Sequence, residues 1–496
     1  MHLSSLFLKS CQQHAQRMLH PHLTYNDLYR KSSSYLYYLK NHLKIQPQQR
    51  IVLRSPKSYH WAPFFLACFR NNNIVIPLPF SSNHLPFLLS MTKPQIVIDN
   101  LQPFEDCVQS ITDSEKIFDV HSPALILFTS GSSALPKGVV LSHSNIFHNL
   151  YQLNSVFRSF VDIHDRSYSL LPWYHCYGLI CELFYTIIKG SHIFLSGYQH
   201  PFENFKHMSS FHPTVIQLVP KMIYAMEKVC QDSLLFRWQT PASRRRLLFG
   251  SEIRMITVGG ANCLPSSLEY IHTSLDVPIY QGYGMTEMSP MVSFSTDPSD
   301  YHSVGSLLPF IQSKIDPRSN ELLLQGPNQM MGYLKDIICD HKIVVERPWS
   351  LENPWYATGD KAFFQSNDQK CTLSISGRTQ DIYKMSNGKF VNPLFLESLL
   401  EKHPQIQQCF IFTSTGIYNE ALIYSDSFSK RTYTYMLSLV HSILQDQNIS
   451  STLWPRQIRF LKSPFSIENG FLSIKHEKRR SRILSKLKED KLDLYP

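Results

Sequence analysis

A chain of 496 residues is too long for one ordinary hydrophobic core and calls for two or more domains or subdomains. Its 43% apolar and 12% aromatic content is globular and excludes a disordered polymer. With 48 Lys and Arg against 38 Asp and Glu, the net charge of +10 favours acidic partners: nucleotides, an acidic carrier protein or an anionic membrane surface.

The first residues, MHLSSLFLKSCQQHAQRML, hold too short an apolar run for a signal peptide. Residues 25–43 carry apolar side chains at helical spacing. A strand follows at 50–54 (RIVLR), a helix at 59–71 and buried strands at 73–79 (NIVIPLP) and 94–99 (PQIVID). Residues 124–128 (ALILF) read as another buried strand, which runs into the hydroxyl-rich loop of FTSGSSALPKGVV, 128–140. The apolar stretch 178–195 is broken by Glu182, Lys189 and His192, so it does not span a bilayer. Alternating strand and helix patterns continue through 212–229, 253–261 and 277–287. They predict an α/β fold: a large N-terminal domain of mostly parallel sheets with helices on their faces.

The pattern changes near Gly377. Residues 372–393 read as strand, turn and short hairpin, and Asn392-Pro393 opens a helix, with Asn as N-cap and Pro at the first helical position. Strands at 408–414, 420–426 and 457–463, a helix at 434–447 and a basic tail helix complete a small, mobile α+β C-terminal domain. The expected division is 1–376 for the large domain, 377–381 for a hinge and 382–496 for the small one. The ten cysteines occur singly, without a C-x-x-C pair, as in reduced cytosolic proteins. The basic residues are mostly scattered, the tail 475–488 excepted, so charge does not imply nucleic acid.

The loop after residue 128 offers the hydroxyls of Thr129, Ser130, Ser132 and Ser133, backbone freedom at Gly131 and Gly138, and the ammonium of Lys137. Such groups suit a polyphosphate. The loop is not a Walker motif, because Pro136 precedes Lys137 and Gly138 follows it. Further along come LPWYHCYGL (171–179), TVGGANCLP (257–265), YQGYGMTEMSP (280–290), LLLQGPNQMMGYLKD (322–336), YATGD (356–360), GRTQDIYK (377–384) and NGKFVNPLFLE (387–397). In this order, and beginning from LTYNDL at 23–28, the segments resemble the AMP-forming adenylation superfamily: acyl-CoA synthetases, luciferases and peptide-synthetase adenylation domains. The likeness covers nearly the whole chain and is nearest to the synthetases of fatty acyl-CoA or fatty acyl carrier protein.

The resemblance implies ATP and Mg²⁺ as cofactors. It assigns Thr129, Ser130, Gly131, Ser132, Ser133 and Lys137 to the β- and γ-phosphates, and Thr286 and Glu287 to the α-phosphate and Mg²⁺. Asp360 would accept both ribose hydroxyls, with Arg378 near ribose and phosphate. Gly260, Ala261, Gln281, Gly282, Tyr283 and Gly284 would wall the adenine, Tyr283 stacking on the base. His175 would lie beside the acyl carboxylate. Gln380 would be the hinge about which the small domain turns between half-reactions, bringing Lys384 to the site. The chain departs from the family pattern at Ala134, where Gly is usual, and at Gln380, where Asp or Lys is usual. At Gly470-Phe471 a lysine would ordinarily follow the glycine. ENGFLS (468–473) is of the long-chain type, in which the catalytic lysine comes later; Lys475 is preferred for that role and Lys478, the alternative, is then a surface charge or an acidic-partner contact.

No Asp stands in 171–179 to hold a substrate ammonium, so the resemblance implies an acid without an amine, a medium- to long-chain fatty acid. The acyl acceptor would be CoA or an acyl carrier protein. The protein is expected in the cytoplasm, with the basic tail available to the inner face of a membrane. Two other readings stay open: a catalytically degenerate nucleotide-binding homologue, and a ligase for aryl or amino acids.

Overall fold

The structure, a computed structural model, describes residues 1–80, 84–101, 118–129, 136–196, 207–233, 236, 238–337, 343–350, 352–367, 370–426, 432–472 and 478–495. Among them, the strands form two seven-stranded sheets, a four-stranded sheet, a three-stranded sheet and two two-stranded ribbons.

The first large sheet runs, in spatial order, Ile343–Glu346, Gly332–Ile337, Lys137–Ser142, Pro123–Thr129, Ile74–Pro77, Arg50–Leu53, Ile96–Ile98. Its last four strands are parallel and the others pair antiparallel. Strands Arg50–Leu53 and Ile74–Pro77 are buried at every position, the pattern of strands covered on both faces. Helix Trp61–Arg70 between them is likewise buried throughout. The predicted helix at 25–43 starts at Thr24, which forms a capping box with Asp27, and runs as α-helix Tyr25–Tyr37 before loosening to a π turn.

The second large sheet runs Ser306–Leu307, Met291–Phe294, Ile279–Gly284, Met255–Val258, Val215–Leu218, Arg166–Ser169, His192–Leu195. Its five strands from Ile279–Gly284 onward are parallel, and its other edge is antiparallel. The two sheets share a core in which Phe7, Phe65, Phe69 and Phe184 meet largely edge to face.

The four-stranded sheet is antiparallel: Gln312–Ile315, Glu321–Gln325, Tyr356–Asn367, Lys370–Arg378. Beyond it, ribbon Tyr383–Lys384 with Phe390–Val391 leads into helix Pro393–Leu400, where the Asn392 side chain accepts from Phe395 N–H as the sequence predicts. Strands Gln408–Phe412, Asn419–Tyr424 and Pro455–Phe460 form the last sheet, packed by Pro393–Leu400 and Thr432–Asp446. The eight described cysteines are all free thiols. No helix of the described residues is long and apolar enough to cross a membrane.

Candidate active site

The two strands on either side of the hydroxyl-rich loop are neighbours in the first large sheet. Strands Pro123–Thr129 and Lys137–Ser142 pair antiparallel, with Thr129 opposite Lys137. Ser130, Gly131, Ser132, Ser133 and Ala134 lie outside the described residues, as does Lys475. Lys137 is exposed, and its ammonium sits 4.9 Å from the centre of the Tyr333 ring.

Strand Ile279–Gly284 carries the next group of residues and ends in a tight turn, Thr286–Met288. Gly284 is needed there, because a Cβ at that position would run into the carbonyl oxygen of Pro290. The turn buries both Thr286 and Glu287. Thr286 Oγ1 lies 3.2 Å from Cys176 Sγ. Glu287 Oε1 accepts a 2.9 Å bond from Tyr333 Oη, which is also 2.9 Å from Tyr356 Oη.

Asp360 and Arg378 are cross-strand partners in the four-stranded sheet. The Asp360 carboxylate accepts from Tyr283 Oη at 2.6 Å and pairs with Arg378 Nε at 3.1 Å. Burial raises the Asp360 carboxyl above its ordinary range, Arg378 opposes that rise, and the nearby charge of Glu287 adds to it. Arg378 Nη1 also donates to Thr358 O at 3.1 Å. Burial likewise pushes the Tyr283 phenol well up, so it stays a donor to Asp360.

Gly260 and Ala261 are exposed just beyond strand Met255–Val258, Gly260 with φ +89°. This turn runs beside Gly282, since Gly259 has room for no more than a tight contact with the Gly282 carbonyl. The Gln281 side chain points elsewhere: its amide donates to Tyr301 O and Ser303 O at 3.0 Å each, leaving the backbone to face the turn. His175 stands next to Cys176 in the 171–179 segment, half-buried, its backbone N–H on Pro172 O.

Lys384 and Gln380 are both exposed. Gln380 lies in the turn where Asp381 N–H and Ile382 N–H return to Arg378 O, at 3.1 Å each. The Lys384 ammonium is 5.6 Å from the Phe390 ring centre, and Lys361, the neighbour of Asp360, approaches the same ring at 4.6 Å.

Lys478 corrects one expectation. It is not a surface charge: its side chain is 13% exposed and its ammonium bonds Glu397 at 3.0 Å and Glu401 at 2.6 Å. Burial alone would depress this lysine, but the two carboxylates outweigh it and hold the ammonium above the ordinary range. Arg480 joins them through Glu397 at 2.5 Å. These two cations of the basic tail are therefore engaged internally.

Three residues that touch this site were not singled out in the sequence. Tyr333 and Tyr356 lay in segments that carried the resemblance but had no role, and Cys176 was only the neighbour of His175. Farther back lies a buried pair. Lys57 Nζ donates to Ser169 O at 2.7 Å and Leu171 O at 3.2 Å. Glu182, fully buried, accepts from Trp173 Nε1 at 2.9 Å and bonds the Ser169 hydroxyl. Glu182 Oε1 has no hydrogen-bond partner among the described residues.

No cluster of three or more His, Cys, Asp or Glu among the described residues could cage a metal. Mg²⁺ needs no such cage, being ordinarily held by one or two carboxylates together with substrate phosphates. Glu287, a single buried carboxylate near Lys137 and Asp360, fits that requirement.

A family model for AMP-binding enzymes matches residues 9–334, most of the chain. The chain belongs to the AMP-binding enzyme family. Its motifs are thus those of the AMP-forming adenylation superfamily. Among curated members, it is 22% identical over 463 residues to long-chain-fatty-acid–CoA ligase 6 of Mus musculus, covering 75% of this chain and 65% of that one. It is also 22% identical over 472 residues to the chloroplastic long-chain-fatty-acid–[acyl-carrier-protein] ligase AEE15 of Arabidopsis thaliana, covering 77% and 62%. The chain thus spans less than two thirds of the length of the curated relatives it matches. The crystal structure of ATP-bound MatB from Rhodopseudomonas palustris superposes with a TM-score of 0.75 at 17% identity, over 98% of this chain and 99% of that one. At that identity the likeness shows the shared fold, in which large sheets and flanking helices are joined to a smaller second domain.

Proposed function

We propose that this protein is an ATP-dependent, AMP-forming acid–thiol ligase whose acid is a medium- to long-chain fatty acid and whose acceptor is CoA or an acyl carrier protein. One observation carries the reading: Lys137 and Glu287 converge on Tyr333, and Tyr356 links them to the strand that bears Asp360, the cross-strand partner of Arg378. A phosphate-side cation, a metal-side carboxylate and a ribose-side carboxylate are thereby gathered from three sheets.

The chemistry follows from charge. A carboxylate attacks the anionic α-phosphate of ATP and expels pyrophosphate, so positioning and neutralisation do most of the work. Lys137, Thr286 and the loop hydroxyls would hold the phosphates, Glu287 would hold Mg²⁺, and Asp360 with Arg378 would fix the ribose. Bound there, Mg²⁺ would act as a Lewis acid on phosphate oxygens. Lys475 would neutralise the approaching carboxylate. A thiol then displaces AMP from the acyl adenylate. Residues 1–376 would form the adenylation domain and 382–496 the small one, which turns about 377–381 so that Lys384 reaches the site in the second step.

The fatty-acid reading rests on the absence of an acid in 171–179 and on the ligases named among the relatives. Isotope exchange between ATP and pyrophosphate across fatty, aryl and amino acids tests it, followed by product analysis with CoA and carrier protein offered separately. Exchange driven by fatty acids is expected. Exchange driven only by aryl or amino acids would remove the fatty-acid reading, and ATP binding without exchange would point to a degenerate homologue.

A further inference from the structure

We propose that Tyr333 is a positioning residue that holds the metal-side carboxylate and the phosphate-side lysine in one geometry, its hydroxyl orienting Glu287 for Mg²⁺ and its ring seating Lys137. The inference rests on the function proposed above.

The backbone around Tyr333 is tied on both sides. Tyr333 pairs with Val139 in the strand that begins at Lys137. Just before it, Met330 N–H donates to Glu287 O at 2.8 Å, and the buried Asn328 amide donates to Met288 O at 2.6 Å. The segment 328–333 therefore bridges that strand and the turn of Glu287. The side chain closes the same bridge a second time, with the lysine over its ring and the carboxylate on its hydroxyl.

A phenol has one proton. The Tyr333 proton goes to Glu287, a carboxylate and the stronger acceptor, so the proton between the two phenols is supplied by Tyr356. The bonds then run in one direction: Tyr356 to Tyr333 to Glu287. A phenol ordinarily keeps its proton at neutral pH, so both remain donors. A carboxylate oxygen has a second lone pair and a second oxygen beside it, so the metal can bind without displacing Tyr333. Hydrogen bonds of this kind orient metal ligands, and removing them typically weakens metal binding about 10- to 100-fold.

The test is calorimetric ATP binding to the full-length chain across a Mg²⁺ titration, without acid substrate. Tyr333→Phe keeps the ring and removes the hydroxyl. It should raise the Mg²⁺ concentration for half-maximal enhancement about tenfold, a larger change than it makes in Mg²⁺-free ATP binding. Tyr333→Leu should in addition weaken Mg²⁺-free ATP binding several-fold, because Lys137 loses its seat. Tyr356→Phe should move the Mg²⁺ midpoint in the same direction by less, and serves equally if the Tyr333 variants do not fold. A Mg²⁺ midpoint in Tyr333→Phe equal to that of the unaltered chain would overturn the inference alone. An unaltered chain whose ATP binding ignores Mg²⁺ would remove the proposed function and this inference together.

Discussion

Glu287 and Glu182 are both buried carboxylates, yet their surroundings assign them opposite work. Glu287 faces the phenol of Tyr333 beside a lysine, and the proposed mechanism needs it ionised. Glu287→Gln keeps the shape and removes the charge. It is expected to lower fatty-acid-dependent pyrophosphate exchange by roughly 10²-fold or more, with little change in melting temperature. Glu182 instead sits where burial raises its carboxyl to about 7, Lys57 pulling the other way. The unfolded carboxyl titrates near 4.5, so between these values the native chain holds a proton that the unfolded chain has lost. The contribution of Glu182 to stability therefore falls as pH rises across that interval, by roughly 1–3 kcal/mol, while histidines that burial holds below their ordinary range act in the opposite direction. Lys57, lowered to about 8 from 10.5 by burial, has the reverse effect above pH 8, where the unfolded chain holds the extra proton. Melting measured from pH 5 to pH 7 should differ in slope between the two proteins, the unaltered one losing more stability or gaining less as pH rises than Glu182→Gln. Equal slopes would mean that Glu182 is ionised throughout.

At the scale of elements, helix Pro393–Leu400 gathers the charges of the small C-terminal unit. It presents Glu397, and the turn after it presents Glu401, to Lys478 and Arg480. Glu397 further accepts from Ile411 N–H at 2.8 Å and Glu401 from Cys409 N–H at 2.7 Å, tying the helix to strand Gln408–Phe412. Breaking a buried pair by removing one partner leaves the other charge uncompensated and costs about 3–5 kcal/mol. Lys478→Ala is thus expected to destabilise this unit in denaturant melts, rather than to alter salt-dependent binding to a carrier or lipid. Undiminished stability with weakened partner binding would return Lys478 to the surface role first read from the sequence. The start of the same helix was legible in advance, because Asn at the cap and Pro at the first turn act through their own backbone. The partners of Lys478 were not, because they lie some 80 residues earlier in the chain.

The whole molecule places the C-terminal unit against helices Pro220–Asp232 and Pro265–Leu275. Leu264 joins the unit's apolar core, and Lys402 reaches Glu227 at 3.4 Å and Ser266 at 3.1 Å. Relative motion of two domains is the default expectation unless their interface is large and hydrophobic. The proposed division of labour predicts a split phenotype for Lys475→Ala. Acyl-AMP formation should fall strongly, while thioester formation from chemically made acyl-AMP is much less affected, because only the first step brings two anions together. Equal loss in both half-reactions would assign Lys475 to structure, and no loss in either would mean that adenylation proceeds without it.

What the sequence by itself determined were the features whose physics is local or whose order along the chain is diagnostic. The motif succession led to the AMP-binding family, strand and helix periodicity to the α/β fold, and Asn392-Pro393 to a helix start. Only the tertiary structure decided which side chains share a space. It set Thr129 opposite Lys137, a pair that forms only when their two strands do. It turned the Gln281 amide onto the 301–303 backbone, set Lys57 beside the Ser169 and Trp173 that bond Glu182, and made Tyr333 the meeting point of Lys137 and Glu287. The last two join segments distant in sequence, and a contact of that kind is set by how sheets stack and strands register, which no local pattern of residues encodes.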